Sequence, residues 1–390
     1  MMDYNSVLSS KVVAMKPLGI RKFFDLAAQM EGVISLGVGE PDFKTPYAIR
    51  RAGIDSLEKG RTWYTANAGL MPLRNAIAAY LMRRFGLEYK GNGEILVTVG
   101  GSEAIDLCVR ALVSPGDEVL IPQPSFVCYD PITTLAGGVS VPIPTRAAEK
   151  FRLTPEALRA AITPKTKLLV LPFPNNPTGA IMGKEELETI ADVLRGTDIM
   201  VLSDEIYAEL TFGSRHVPFA SIDGMWERTI TVNGFSKAYA MTGWRLGYAA
   251  GPAPIIAQMT KIHQFAIMSA PTTRQYAAVE ALSPECDGEI ERMAVEYNMR
   301  RSLMVDSLNR MGLTCFDPRG AFYVFPSIGV TGLSSDEFCE RLLREQKVAV
   351  VPGSAFGDSG EGHVRISYSY SVEHLIEALK RIEKFVSQFR

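Results

Sequence analysis

The sequence has no excess of charge of either sign. Its 390 residues include 41 Lys and Arg against 43 Asp and Glu, which gives a formal net charge of −2. Such a balance creates no long-range field that would attract nucleic acid or an anionic membrane. We therefore expect neither as a partner.

Long apolar runs are also missing. The longest, such as LLVLPFP from Leu168, are far too short to cross a bilayer, and the opening residues MMDYNSVLSSKVVAMK hold no apolar stretch of signal-peptide length. These features predict a soluble, cytoplasmic protein.

Cysteine is scarce, and the cysteines are widely spaced along the sequence. The five cysteines are odd in number and include no CxxC pair, so neither a disulfide framework nor a zinc site is supported. We expect no metal, and we expect most of the cysteines to be small core residues. They are Cys108, Cys128, Cys286, Cys315 and Cys339.

Short apolar runs alternate with helical patterns from about residue 94 to residue 251. The runs are EILVTV, DEVLIP, GVSVPIP, KLLVLPF, IMVLSDE, RTITVNG and LGYAAG. One intervening helix carries a Thr154 cap followed by Pro155, and KEELETIADVLR has apolar residues at helical spacing. The alternation predicts an α/β fold with a mainly parallel seven-stranded sheet flanked by helices.

Beyond about residue 250 the pattern changes to longer helices, at 275–282 and 289–311, and then to the strands FYVFP, VAVVP and HVRISYS. Ser334 and Glu337 have the spacing of a capping box. We expect a smaller α+β domain here, and a short helix at IRKFFDLAAQM near the start. The predicted division is a large domain at 46–285 and a small domain at 1–45 plus 286–390.

The segment SLGVGEPD superficially resembles a dinucleotide-binding loop. Gly37 and Gly39 have the right spacing, but the third glycine position holds Asp42, and Pro41 interrupts the helix start that a pyrophosphate needs. The pattern does not support NAD binding.

Two loops follow predicted strands at the edge of the sheet where α/β proteins bind ligands. LPFPNNPTGAIM contains Asn175 and Asn176, whose side chains can also simply satisfy their own backbone. IMVLSDEIY ends in Asp204 and Glu205. Asp204 needs a cationic or strongly donating partner if it is buried, and otherwise belongs to an exposed strand end.

A glycine pair stands between a strand and a helix in EILVTVGGSEAIDLCVRAL. Gly100 and Gly101 permit a tight turn, and the amides of Gly101, Ser102 and Glu103 form a helix start suited to phosphate. The Lys-Ser of a P-loop is missing, so the phosphate of a cofactor fits better than a nucleotide. A plain glycine turn with a serine cap is the alternative.

One lysine interrupts the apolar, glycine-rich run GFSKAYAMTGWRLGYA. A lysine becomes a nucleophile when desolvation favours its neutral amine, and it then forms Schiff bases with carbonyls. Lys237 would do so here, and Arg245 just beyond it could hold a phosphate. A ring-facing carboxylate, a phosphate cradle, an arginine and an imine-forming lysine are together the requirements of pyridoxal phosphate.

The motif GFSK followed by GWRLG resembles the lysine signature of the class I/II pyridoxal-phosphate aminotransferases. GEPDF, a tyrosine at 64 followed by Gly69 and LR, the glycine pair, NNPTG, SDEIY and HVRIS occur in the family's order, from residue 37 to about residue 369. The sequence is most similar to the bacterial aspartate and aromatic aminotransferase branch. The resemblance implies the fold type I architecture of a large cofactor domain and a small domain.

The resemblance also implies a role for each cofactor-site residue. Lys237 would form the Schiff base and move the substrate proton, while Asp204 would keep the pyridine nitrogen protonated. Tyr207 and Asn176 would donate to the phenolic oxygen of the ring, and Phe126 would stack on its face. The residues expected around the phosphate are Gly101, Ser102, Glu103 through its amide, Ser236 and Arg245. Some relatives have the phosphate-binding serine at the position of Gly234 instead of Ser236.

The substrate residues follow from the same resemblance. Arg365 would bind the α-carboxylate with two parallel hydrogen bonds, with Asn176 and the Gly39 backbone beside it. Tyr64 would reach the phosphate of a neighbouring subunit, which implies a homodimer with shared active sites. The implied reaction moves the amino group of an L-amino acid to a 2-oxo acid in two half-reactions.

Other interpretations remain open from the sequence. A carbon–sulfur β-lyase shares the fold, and a pyridoxal-sensing regulator would carry a DNA-binding segment, which we do not find. The substrate side chain is undetermined: Arg21 or Arg274 would suit a dicarboxylate, and apolar walls from Phe23, Tyr239 and Ile20 would suit an aromatic amino acid.

Overall fold

The computed structural model describes residues 2, 4–15 and 30–389. The helices are α1 Ser10–Ala14, α2 Tyr47–Glu58, α3 Met71–Phe85, α4 Gly101–Leu112, α5 Tyr129–Ala136, α6 Pro155–Ala161, α7 Lys184–Leu194, α8 Ala253–Ala266, α9 Thr272–Ala281, α10 Asp287–Arg310, α11 Ser335–Gln346 and α12 Val372–Val386. The strands are β1 Ile34–Ser35, β2 Ile95–Thr98, β3 Glu118–Gln123, β4 Val139–Pro144, β5 Thr166–Leu171, β6 Met200–Asp204, β7 Thr229–Gly234, β8 Gly247–Ala250, β9 Tyr323–Val324, β10 Val348–Ala349, β11 Val351–Pro352 and β12 Val364–Ser367.

Strands β2 to β8 form one seven-stranded sheet in the order β2-β8-β7-β6-β5-β3-β4. The pairs among β3 to β7 are parallel, whereas β8 is antiparallel to both of its neighbours. Each strand coincides with one of the seven predicted runs, so the prediction of a mainly parallel seven-stranded sheet is confirmed.

Successive residues of the central strands are buried on opposite faces of the sheet, as the period of two requires. Leu168 and Val170 belong to the core beneath α4 and α8, while Leu169 and Leu171 belong to the core beneath α7. Burial on both faces explains why β5 is a continuous apolar run in the sequence.

The later elements form two small sheets around a separate core. Strands β11, β12 and β9 are antiparallel, and β1 pairs in parallel with β10, which joins residues near the N-terminus to this part of the chain. Helices α10, α11 and α12 pack on the same core. Strands and helices therefore occur where the α+β pattern predicted them; the predicted helix at 20–30 lies outside the described residues except for Met30.

Two predicted helix caps are present. The Thr154 hydroxyl accepts a hydrogen bond from the Ala157 amide at 3.2 Å, at the start of α6. The Ser334 hydroxyl accepts one from the Glu337 amide at 3.3 Å, at the start of α11; this is the serine half of the predicted capping box, and the described residues show no return bond from the Glu337 side chain. These contacts satisfy helix-start amides that have no partner within the helix.

Four cysteines are buried and Cys128 is half-buried, with all five free, so the prediction that most lie in the core is confirmed. In the part of the chain that the structure describes, no helix is both long and apolar enough to cross a membrane.

Candidate active site

The carboxyl ends of the parallel strands border a cavity of about 970 Å³. Its walls come from residues 37–40, the start of α4, and the segments 126–132, 172–176, 204–207 and 236–245, together with Tyr323 and Arg365. Parallel strands bring their carboxyl ends to one edge, which is why segments distant in sequence meet here. The predicted site residues that line it are Gly39, Gly101, Ser102, Phe126, Asn176, Asp204, Tyr207, Ser236, Lys237, Arg245 and Arg365.

Lys237 extends into this cavity from the turn after β7. Its Nζ donates a hydrogen bond to the Gly39 carbonyl at 2.6 Å and lies 5.8 and 5.7 Å from the ring centroids of Tyr207 and Phe322. The pKa of Lys237 is lowered from 10.5 to about 8; burial is the largest cause, Glu40 opposes the shift, and the positive charge of Arg365 contributes to it. The amine can therefore lose its proton near neutral pH, as a nucleophilic lysine must.

Asp204 ends β6 and is 7% exposed, so it is not an exposed strand end. Its Oδ2 accepts a hydrogen bond from the Tyr129 hydroxyl at 2.6 Å, and its Oδ1 accepts one from the Ile206 amide at 3.2 Å. Burial raises the pKa of Asp204, and these two hydrogen bonds oppose the rise. The donating partners required of a buried Asp204 are thus present.

Glu205, the next residue, has no part in the cavity. Its carboxylate accepts from the Ser203 hydroxyl at 2.8 Å and lies 3.0 Å from Nε2 of the half-buried His216. Because successive strand residues point in opposite directions, only one of the two adjacent acids faces the site.

Tyr207 follows β6 and is held by a second tyrosine. The hydroxyl groups of Tyr207 and Tyr323 are 2.9 Å apart, and burial raises the pKa of both phenols. A Cβ added at Gly39 would lie 2.2 Å from the Tyr323 hydroxyl, so only glycine fits there. The backbone of residue 39 can therefore approach both Tyr323 and Lys237.

Arg365 lies on β12 and is buried, at 5% exposure. Its Nη1 donates to Asn176 Oδ1 at 2.8 Å and its Nη2 donates to the Gly37 carbonyl at 2.6 Å. The guanidinium stacks over the Tyr323 ring at 4.5 Å, and its buried Nε has no hydrogen-bond partner among the residues that the structure describes. The side chain is thus fixed in orientation while donors remain free, which suits a carboxylate ligand.

The glycine pair brings the start of α4 against the strand that follows Lys237. Gly100 has a φ of +85°, and a Cβ at Gly247 would lie 2.6 Å from the Gly101 nitrogen. A Cβ at Gly100 would lie 2.6 Å from Arg245 Nη2, so the guanidinium covers the turn. Unpaired helix amides and a cation thus meet at one end of the cavity, as an anion site needs.

Ser236 is buried and lines this end of the cavity. A Cβ at Gly234 would lie 2.9 Å from the Gly247 Cα, so this chain has no room for a side chain at position 234. Close packing of two strand residues explains why the serine stands at 236 instead.

Two predicted cofactor residues do not line the cavity. Tyr64 is 79% exposed, in a loop where the Trp63 carbonyl accepts from the Thr272 hydroxyl at 2.6 Å. The Glu103 carboxylate is turned back toward the Val99 amide, which leaves only its backbone amide at the helix start. Tyr64 was expected to act on another subunit and Glu103 through its backbone amide, and both roles stay predictions.

The prediction that Tyr239 forms a wall around the substrate side chain was wrong. Tyr239 is 2% exposed and packs in the core with Phe235, at 5.7 Å between ring centroids. Arg274 on α9 does not line the cavity either. Ile20, Arg21 and Phe23 lie outside the described residues.

Sequence reasoning missed Tyr129 and Tyr323. Tyr129 lies in the same PQPSFVCYD segment as Phe126, and Tyr323 lies in the strand run FYVFP. The available signal was a polar hydroxyl within an otherwise apolar buried segment, since such a hydroxyl usually has a hydrogen-bond partner.

The sequence of this chain matches a known family of enzymes. The family model for aminotransferase class I and II matches residues 31–382. This chain belongs to that family. An aminotransferase of this family moves the amino group of an L-amino acid to a 2-oxo acid, and the family and fold together imply dependence on pyridoxal phosphate.

Individual relatives align with this aminotransferase over almost its whole length. The YugH protein of Bacillus subtilis (strain 168) is 54% identical, over 98% of both chains. An aspartate aminotransferase of Pyrococcus abyssi (strain GE5 / Orsay) is 48% identical, also over 98% of both chains. The crystal structure of an aromatic aminotransferase from Pyrococcus horikoshii OT3 has a TM-score of 0.90 at 46% identity, covering 95% of this chain and 99% of that one.

Proposed function

We propose that this aminotransferase binds pyridoxal 5′-phosphate covalently through Lys237 and takes amino donors of the aspartate or aromatic type. The observation that carries the proposal is the meeting of a buried amine, a buried carboxylate and a buried arginine with free donors in one cavity. The names of the relatives support the donor types.

The donor set fits the cofactor. In the described part of the chain, the Asp204 carboxylate accepts only from a phenol and an amide, so a protonated pyridine nitrogen would give it the missing positive partner. At the other end of the cavity, the Gly101 and Ser102 amides with Arg245 suit a phosphate. When bound, pyridoxal phosphate supplies an electron sink that stabilises negative charge on the substrate Cα.

Lys237 would both bond to the aldehyde carbon and carry the proton. With a pKa of about 8, about a tenth of the side chain is neutral at pH 7. In its neutral form Nζ would hold the cofactor aldehyde, with loss of water. Once displaced by the substrate amine, the free Nζ would take the proton from the substrate Cα, with the Gly39 carbonyl directing it.

Tyr207 would act as a donor to the phenolic oxygen of the cofactor ring. Burial keeps its pKa far above neutrality, so the phenol retains its proton. Tyr323 contacts the same hydroxyl at 2.9 Å and restricts its orientation. Phe126, also in the wall of the cavity, would stack on the ring.

Arg365 would bind the substrate α-carboxylate. Asn176 and the Gly37 carbonyl occupy one N–H of each terminal nitrogen, which leaves one further N–H on each for the ligand. A planar fork of donors can make two parallel bonds to a carboxylate, which a lysine cannot.

A homodimer is part of the proposal. The aromatic residues Trp63, Tyr64 and Phe265 are 67, 79 and 84% exposed, and subunits often bury such exposed apolar side chains. The loop is joined to the segment between α8 and α9, with Asn67 Nδ2 donating to the Met268 carbonyl at 2.8 Å. Sedimentation analysis at micromolar concentration should give a dimer; a monomer would contradict the shared site.

We further propose 46–285 as the cofactor domain and 1–45 plus 286–390 as the small domain. The predicted location in the cytoplasm stays a prediction.

The function is tested with a panel of amino donors and 2-oxoglutarate as acceptor. We expect glutamate to form with aspartate or with aromatic amino acids, and only in the presence of pyridoxal phosphate. Pyruvate released from cystathionine without an acceptor would favour the β-lyase. If none of these donors yields glutamate, the proposed substrates are contradicted.

A further inference from the structure

Glu103 places an acid at the helix start whose amides are proposed to bind a phosphate. The structure directs its charge away from the cavity. Its Oε2 accepts from the Val99 amide, and its Oε1 accepts from Nδ1 of His263 at 2.7 Å. The carboxylate is therefore held back against the preceding strand by two donors.

His263 is completely buried on α8, at 0% exposure. Its Nε2 has no partner among the described residues, so the bond to Glu103 is the polar contact that its ring makes there. Burying an imidazole with one nitrogen unpaired is unfavourable. A hydrophobic residue would fill the same space without this penalty, which indicates that the bond to Glu103 has a purpose beyond packing.

The segment that Glu103 holds is the turn before the helix. The Thr98 hydroxyl donates to the Gly100 carbonyl at 2.9 Å, and Gly247 packs against the far side of the turn. The Glu103 side chain adds the third constraint, because it reaches back to Val99 as the acid of a capping box reaches back to its helix cap. The direction of the Gly101 and Ser102 amides depends on this turn.

We propose that Glu103 and His263 are positioning residues for the cofactor phosphate. His263 fixes the Glu103 carboxylate, Glu103 fixes the turn, and the turn aims the helix amides into the cavity. The same bond prevents the Glu103 charge from facing the phosphate. This inference rests on the proposed function, since it assigns the two residues to the phosphate end of that site.

The test compares pyridoxal phosphate with pyridoxal, which has the same ring and aldehyde but no phosphate. Both are titrated into cofactor-free wild-type protein and variants, with binding followed by absorbance. We expect His263→Leu to weaken the binding of pyridoxal phosphate by about tenfold and to leave the affinity for pyridoxal within about twofold of wild type. His263→Asn, whose amide can donate from near the Nδ1 position, should retain the wild-type affinity within about threefold.

His216→Leu is the matched control. His216 also has a largely buried side chain, 7% exposed, beside a carboxylate, 3.0 Å from Glu205, but it does not line the cavity. We expect it to lower Tm without changing the ratio of the two affinities. Should His263→Leu fail to fold, Glu103→Ala removes the acceptor and should give the same phosphate-specific loss.

The outcomes separate the two proposals. Unchanged phosphate affinity in the variants, or equal weakening of both ligands, overturns the positioning role while the cofactor site stands. Wild-type protein that binds the two ligands equally has no phosphate cradle, which overturns both the positioning role and the proposed phosphate end of the site.

Discussion

Replacing Lys237 with methionine should stabilise the cofactor-free protein at neutral pH. The lysine ammonium is buried near the rings of Tyr207 and Phe322, and burial lowers the pKa of Lys237 from 10.5 to about 8. At pH 7 the lysine is mostly charged in both states. The charge has a higher free energy in the folded protein, where it is desolvated, than in the unfolded chain. Methionine has a similar length and no charge.

The difference of about 2.5 pH units corresponds to about 3 kcal/mol at pH 7. Between pH 8 and 10.5 the unfolded chain binds the proton and the folded protein does not, so wild-type stability rises with pH across this window. The variant lacks that rise. Loss of the hydrogen bond to the Gly39 carbonyl costs about 1 kcal/mol, which leaves a net gain of about 2 kcal/mol for the variant at pH 7.

Urea unfolding of the two cofactor-free proteins at pH 7 and 9.5 measures the effect. The variant should be more stable at pH 7, and its advantage should fall below about 1 kcal/mol at pH 9.5. The control is Lys184→Met, at a side chain that is 71% exposed, where we expect no such pH dependence. A stability difference for Lys237→Met that stays constant with pH would refute the desolvation of this amine.

Three other substitutions test further contacts. Tyr129→Phe removes a donor to Asp204, which should raise the pKa of that carboxyl further and lower kcat by about tenfold in steady-state kinetics. Arg365→Lys should lower kcat/KM by about a hundredfold while cofactor absorbance is unchanged. Gly247→Ala brings a Cβ to 2.6 Å from the Gly101 nitrogen and should weaken pyridoxal phosphate in a titration. Wild-type kinetics in the first two, or wild-type affinity in the third, would contradict these roles.

The sheet and its edge were predictable because their signals are local. A parallel strand buried on both faces, such as β5, must be a continuous apolar run. A polar residue directly after such a run therefore lies at the carboxyl end of the strand. Asp204 and Lys237 stood out for this reason. The lysine motif was long enough to indicate a family as well as a chemistry.

The contacts that orient those residues were not predictable, because they join distant parts of the chain. Tyr129 is 75 residues from Asp204, and Tyr207 is 116 residues from Tyr323. Sequence spacing also misassigned Tyr239, which is two residues after Lys237 but is buried in the core. Proximity along the chain does not determine the direction of a side chain once the backbone turns.

The most direct test of the account is the site of covalent attachment. Protein loaded with pyridoxal phosphate is reduced with borohydride and digested with trypsin, which cuts after Arg228 and Arg245 but not after a modified lysine between them. We predict an uncut 229–245 peptide that carries the phosphopyridoxyl mass on Lys237. Cleavage at Lys237 with the added mass on another lysine, or on none, would contradict the central claim.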